Sequence, residues 1–93
     1  MWIRRISIVA TWYFIRNNGP LSPTLKLAKI FLNDSEDLIH KATGWMLREL
    51  GKVDRKKLDD FLKNNHRKMP RVMLRYAIEK HSLRERKNFL AGL

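Results

Sequence analysis

Trp45 stands between Lys41, four residues before it, and Arg48, three after it. In a helix, spacings of three and four bring side chains onto neighbouring rows of one face. On a wheel at 100° per residue, Ile39, Thr43, Met46 and Leu50 gather on one side and read as core. Trp45 lies roughly 130° round from their centre, with Leu38, Lys41, Ala42, Arg48 and Glu49 as neighbours. A flat apolar ring flanked by cations can meet a nucleic acid, the ring against sugar or base and the cations against phosphates. Gly44 beside it lets another backbone or a strand come close. The competing reading packs Trp45 on a neighbouring helix and leaves the cations solvated. Glu49 is the only acid beside this stripe, and a local ion pair with Lys52 or Lys41 accounts for it.

Two further places carry charge in a usable arrangement. Arg5, Val9, Trp12 and Arg16 form a similar line, so Arg5 could reach the ligand of Trp45 if the two helices lie adjacent and parallel. Arg67-Lys68-Met69-Pro70-Arg71 sets three cations at the start of a helix, whose free N–H groups suit a phosphate. The candidate DNA-binding set is therefore Arg5, Lys41, Trp45, Arg48, Arg67, Lys68 and Arg71. Catalytic groupings are missing: there is no glycine-rich phosphate loop and no Ser/His/Asp or Cys/His arrangement. His40, His66 and His81 are too dispersed for a metal centre, and no cofactor motif is found.

Six helices must position these residues, and no convincing strand is found. Asn17-Asn18-Gly19-Pro20 ends a first helix of about residues 2–16. Ser22 and Pro23 read as N-cap and first helical residue of a second, running to about Asn33. Asp34 and Ser35 can cap a third, which Gly51 is placed to stop. Asp54 caps a fourth, to about Asn64, Pro70 opens a fifth, and Ser82 with Glu85 forms a capping box for a short sixth. Helix starts near residues 3, 36 and 70 give a period of 33 or 34, a helical-repeat spacing. Ala10-Thr11-Trp12-Tyr13-Phe14-Ile15-Arg16 also aligns, at an offset of 32, with Ala42-Thr43-Gly44-Trp45-Met46-Leu47-Arg48. The expectation is an all-α helical-repeat solenoid, one domain over 1–93, with antiparallel pairs at about 2–33, 36–64 and 70–91.

Composition limits the partner. Twenty Lys and Arg against nine Asp and Glu give a net charge of +11, with +3 in residues 1–51 and +8 in residues 52–93. A polyanion fits such a chain, nucleic acid first and an anionic membrane surface second. The first helix is apolar on nearly all its sides, through Ile3, Ile6, Ile8, Val9, Trp12, Tyr13, Phe14 and Ile15. Such a helix belongs inside a larger body, so the sequence reads as a piece of one, or as a chain that pairs as a homodimer through Ile3, Ile6 and Tyr13. Basic residues followed by an apolar run mimic a signal peptide, but the bulky Trp12-Tyr13-Phe14 and the absent small-residue cleavage site argue against one. The run is also about half the length of a membrane span. With no Cys, a reducing, cytoplasmic setting is expected.

These residues carry a resemblance. Trp2-Ile3-Arg4-Arg5-Ile6-Ser7-Ile8, Ile39-His40-Lys41-Ala42-Thr43-Gly44-Trp45-Met46-Leu47-Arg48-Glu49, Met69-Pro70-Arg71 and Leu74-Arg75-Tyr76-Ala77-Ile78-Glu79-Lys80 resemble the C-terminal part of the DNA alkylation repair enzyme family. The likeness runs from Trp2 to about Phe89, and the K-A-x-G-W-x-L-R-E string is its most specific piece. It implies a HEAT-like solenoid holding duplex DNA on a concave basic face. It also implies hydrolysis of the N-glycosidic bond of N3- and N7-alkylated purines, without a deep base pocket. There a carboxylate stabilises an oxocarbenium-like sugar and positions water. Arg5 looks like the family's backbone-contacting Arg and Trp45 like one of its aromatic contacts. The family's catalytic Asp and its companion Trp lie upstream of anything in this chain. The expectation is a DNA-binding part that is inactive alone. The alternatives are a protein–protein module without DNA binding, or an enzyme completed by a second polypeptide.

Overall fold

The computed structural model describes residues 2–16, 19 and 21–92, with the side chains of 2–5, 7, 13 and 14 outside the description. Six helices follow one another: α1 (Trp2–Arg16), α2 (Ser22–Phe31), α3 (Asp37–Val53), α4 (Arg55–Asn65), α5 (Arg71–Ala77) and α6 (Leu83–Leu90). The described residues contain no strand. α3 is central and packs on α1, α2, α4 and α5, while α1 touches α2 and α5 touches α6. The row of contacts α1–α3–α5 is compatible with stacked helix pairs. The molecule measures 33 × 30 × 18 Å, the short dimension being about two helix diameters.

The third helix buries the face its periodicity indicates: Ile39, Thr43, Met46 and Leu50 are all inaccessible. Leu47, Leu50, Leu58, Leu62, Met73 and Leu74 form the larger core, and Ile8, Phe31, Ile39 and Met46 a second cluster between α1, α2 and α3. The repeat alignment coincides with burial, since Thr11 and Thr43 are both buried and so are Ile15 and Leu47. In α1, Ile8 and Ile15 enter the core while Ile6 faces outward.

Three helix ends differ from the sequence reading. α2 begins at Ser22 itself, because Leu21, helical in backbone, already accepts the Leu25 N–H, and Pro23 falls in the first turn. α3 begins at Asp37, after Glu36; the Asp34 carboxylate accepts the Glu36 N–H at 2.9 Å and turns the chain before the helix. Gly51 does not stop α3, which runs to Val53 and ends where the Asp54 N–H reaches the Leu50 carbonyl. Asp54 caps α4 through the Lys57 N–H at 3.2 Å, and Ser82 and Glu85 form the full capping box of α6.

That box makes a pH prediction. Hydrogen bonds from Ser82, then the Arg55 guanidinium, hold the Glu85 carboxyl below its ordinary value. A carboxyl lowered in the folded state stabilises above its unfolded pKa, and the contribution disappears as pH falls through the folded value. The Glu85 side-chain resonance should titrate below that of an unstructured glutamate, and Ser82→Ala should move it up. Equal midpoints in parent and variant would show that the box does not hold the charge.

Candidate functional site

An open groove of about 650 Å³ lies across α1, α3 and α5, lined by Ile6, Val9, Ala10, Leu38, Lys41, Ala42, Trp45 and Tyr76. Trp45 is half-buried, packed on the second core cluster, and leaves part of its ring to the groove. Trp12 lies behind it, with ring centroids 6.1 Å apart and planes inclined by 31°. The Arg16 guanidinium sits 4.7 Å over the Trp12 ring, a cation–π contact that places a charge beside the aromatic pair. Lys41 is exposed on the groove. Ala10 and Ala42, equated by the repeat alignment, both line it, and their small side chains leave it open.

Gly44 sets how close the third wall comes. A Cβ at this position would meet the Met73 carbonyl oxygen at 2.5 Å and the Tyr76 Cβ at 2.7 Å. The bare backbone of α3 therefore admits that of α5, the close approach expected of this glycine, and Tyr76 is brought to the groove. The sequence reading did not single out Tyr76; Gly44 was the available signal, because a glycine inside a helix marks a neighbouring backbone.

The remaining candidates separate. Arg48 turns away from the groove: its guanidinium donates to Glu79 at 2.7 Å and lies 3.6 Å from Glu49. Its wheel position permits either side, and Glu79 in the turn after α5 takes it. Glu49 makes the local pair expected of it, with Lys52 at 2.9 Å. Arg67 donates to the Gly92 carbonyl at 2.9 Å and Arg71 to the Leu90 carbonyl at 3.4 Å, so both reach the C-terminal end of α6. They do not converge on the start of α5, which is only seven residues long. Lys68 is exposed without an ion pair among the described residues. The Arg5 side chain lies outside the described residues, although its backbone is in α1, next to the groove residue Ile6. The Ile3 and Tyr13 side chains are outside them too.

Among the described residues that line the groove there is no Asp or Glu, the residue types that stabilise an oxocarbenium in glycosidic hydrolysis. Among the described residues no group of His, Asp and Glu could hold a metal ion, and no helix is long and apolar enough to cross a membrane.

A family model described as DNA alkylation repair enzyme matches residues 1–81. The chain belongs to the DNA alkylation repair enzyme family. The match takes in the whole groove, from Ile6 to Tyr76. No curated protein and no solved structure matches the chain significantly.

Proposed function

We propose that this chain is a DNA-binding part of an alkylated-base repair glycosylase, which holds duplex DNA across the α1–α3–α5 groove and does not cleave the glycosidic bond by itself. The observation that carries this reading is the groove's lining: Trp45 backed by Trp12, with Lys41 beside it and no carboxylate among its described residues. An aromatic surface contacts sugar or base and Lys41 holds a phosphate, while glycosidic hydrolysis needs an acid that the groove lacks. Arg5, one residue before the lining residue Ile6, adds a second phosphate contact. The net charge of +11 supplies the long-range attraction.

Two measurements test it. Duplex binding should be weak and largely independent of sequence, with affinity falling steeply as salt rises, because each neutralised phosphate releases counterions. Release of 7-methylguanine or 3-methyladenine should stay at the spontaneous rate. Turnover above that rate would refute inactivity, and Glu49→Gln would be the first variant to examine. Binding that is absent or flat with salt would refute the DNA reading.

A second reading has an observation of its own. Ile6, Leu38 and Tyr76 on the groove are 60%, 44% and 38% exposed, an apolar surface that also fits a helix of a partner protein or a second copy of the chain. Sedimentation at moderate salt separates them: a dimer that fails to bind duplex supports the protein surface, and a monomer that binds it supports DNA.

A further inference from the structure

Away from the groove lie two unlike clusters of cations. Arg48, Lys52, Arg55 and Lys80 line a cleft that also contains His81. There Arg48 pairs with Glu79 and Glu49, Lys52 with Glu49, and Arg55 with Asp59 and Glu85. The His81 Nε2 lies 2.8 Å from the same Asp59. Acids answer Arg48, Lys52 and Arg55, while Lys80 has no ion pair among the described residues, and these pairs brace α3, α4, α6 and the turn after α5 against one another.

The second cluster is unbalanced. At the C-terminal end of α4, a cavity of about 440 Å³ is lined by Lys63, Asn64, His66, Arg67, Lys68 and Phe89. No acid lines it, and Lys63, Arg67 and Lys68 have no ion pair among the described residues. Arg67 commits its Nε to the Gly92 carbonyl, and its terminal N–H groups have no partner among the described residues. His66 is the independent sign of a ligand. It is only 7% exposed, and its Nδ1 donates to the Leu62 carbonyl at 2.7 Å, one turn back along α4. That bond fixes the ring, so Nε2, on its far side, points away from the α4 backbone. Nε2 is buried and has no partner. Phe89 of α6 stands edge-on to the ring at 5.3 Å and forms the facing wall. Buried polar nitrogens are normally hydrogen-bonded, so an orphan beside three cations that have no ion pair among the described residues marks a missing partner.

We propose that this cavity binds a phosphate group, held by charge-assisted hydrogen bonds from Lys63, Arg67 and Lys68, with the His66 ring in its wall. The negative end of α4 opposes an anion, though several of its carbonyls are occupied. Leu62 O accepts from His66 N, Asn65 O from Lys68 and Met69 N, and His66 O from Met69 N. About half a unit of dipole charge is outweighed by three full cations. The site shares no lining residue with the α1–α3–α5 groove, so it stands whether or not that groove holds DNA.

The test titrates inorganic phosphate into the full chain at constant ionic strength, with chloride as the matched control, while NMR follows the His66 and Phe89 rings and the Arg67 Nε–H. Saturating shifts confined to these groups, with phosphate and not with chloride, are expected. Lys63→Gln and Lys68→Gln, both exposed and unpaired, should each weaken phosphate about tenfold, the size of one charge-assisted hydrogen bond. A short duplex oligonucleotide then separates the sources. Displacement of phosphate assigns the site to a strand backbone, and retention assigns it to free phosphate or a mononucleotide. Equal shifts in phosphate and chloride, or undiminished affinity in both lysine variants, overturn the proposal.

Discussion

Gly44→Ala is expected to destabilise the protein by about 1–3 kcal/mol, the usual cost of overpacking a close-packed interior. Intrinsic preference points the other way, because alanine in a helix interior is favoured over glycine by about 1 kcal/mol. Packing decides the sign. The added methyl would lie 2.5 Å from the Met73 carbonyl oxygen and 2.7 Å from the Tyr76 Cβ, both fixed to the backbone of α5. No rotamer change relieves that, so α5 must move off α3. Gly51 is the control. Its added Cβ would meet the Leu58 Cδ2 at 2.4 Å, the far end of a rotatable side chain, and α3 continues past it. Gly51→Ala should therefore destabilise less than Gly44→Ala, because a helix-propensity gain of about 1 kcal/mol offsets the rotation of the buried Leu58 side chain. Thermal unfolding reads the contrast, at about 4–8 °C per kcal/mol for a domain of this size. Equal shifts for the two variants would show that the α3–α5 approach is not close.

The elements that sequence alone defines well are those with a strong local cause. The 3.6-residue rhythm of Ile39, Thr43, Met46 and Leu50 indicates the buried face of α3, and that face is buried. Asp54 and the Ser82–Glu85 box act through bonds within one turn, and they form as read. Gly51 misleads because the stop signal of a glycine depends on its backbone angle, and only Gly92 among the described glycines has positive φ, at 80°. Arg48 misleads for another reason. A wheel fixes where a Cα points, whereas a long guanidinium goes to the nearest acid, and Glu79 lies 31 residues further along the chain. Arg67 and Arg71 are drawn by the α6 carbonyls in the same way. Pairings that depend on two distant helices meeting leave no trace in either helix's own periodicity. The groove is intermediate: Trp45 and Lys41 come from one helix and are legible together. Tyr76 joins them only because Gly44 lets α5 in.

Trp45→Leu is expected to weaken duplex binding about tenfold, since a base stacked on an aromatic ring contributes about 1–3 kcal/mol. Leucine is the informative replacement. Trp45 also packs on the cluster of Ile8, Phe31, Ile39 and Met46, so alanine would lose core contacts together with the ring. Leucine keeps an apolar side chain on that cluster and removes the flat surface beside Trp12. Salt dependence then separates the roles of the groove residues. Trp45 neutralises no phosphate, so its variant should give a line of log affinity against log salt parallel to the parent's and displaced downward. Lys41→Gln should instead flatten that line by about one unit of slope, one phosphate contact fewer, and Arg5→Gln should do the same. Arg48→Gln should leave the slope unchanged, because its charge is already spent on Glu79 and Glu49. Anisotropy titrations at several salt concentrations, with unfolding midpoints taken alongside, measure all four. If Trp45→Leu folds like the parent and binds with the same affinity, the ring is a packing element and DNA lies elsewhere on the molecule. If Arg48→Gln flattens the slope as Lys41→Gln does, the ion pair with Glu79 opens when DNA arrives, and the interface extends over the α3–α5 edge.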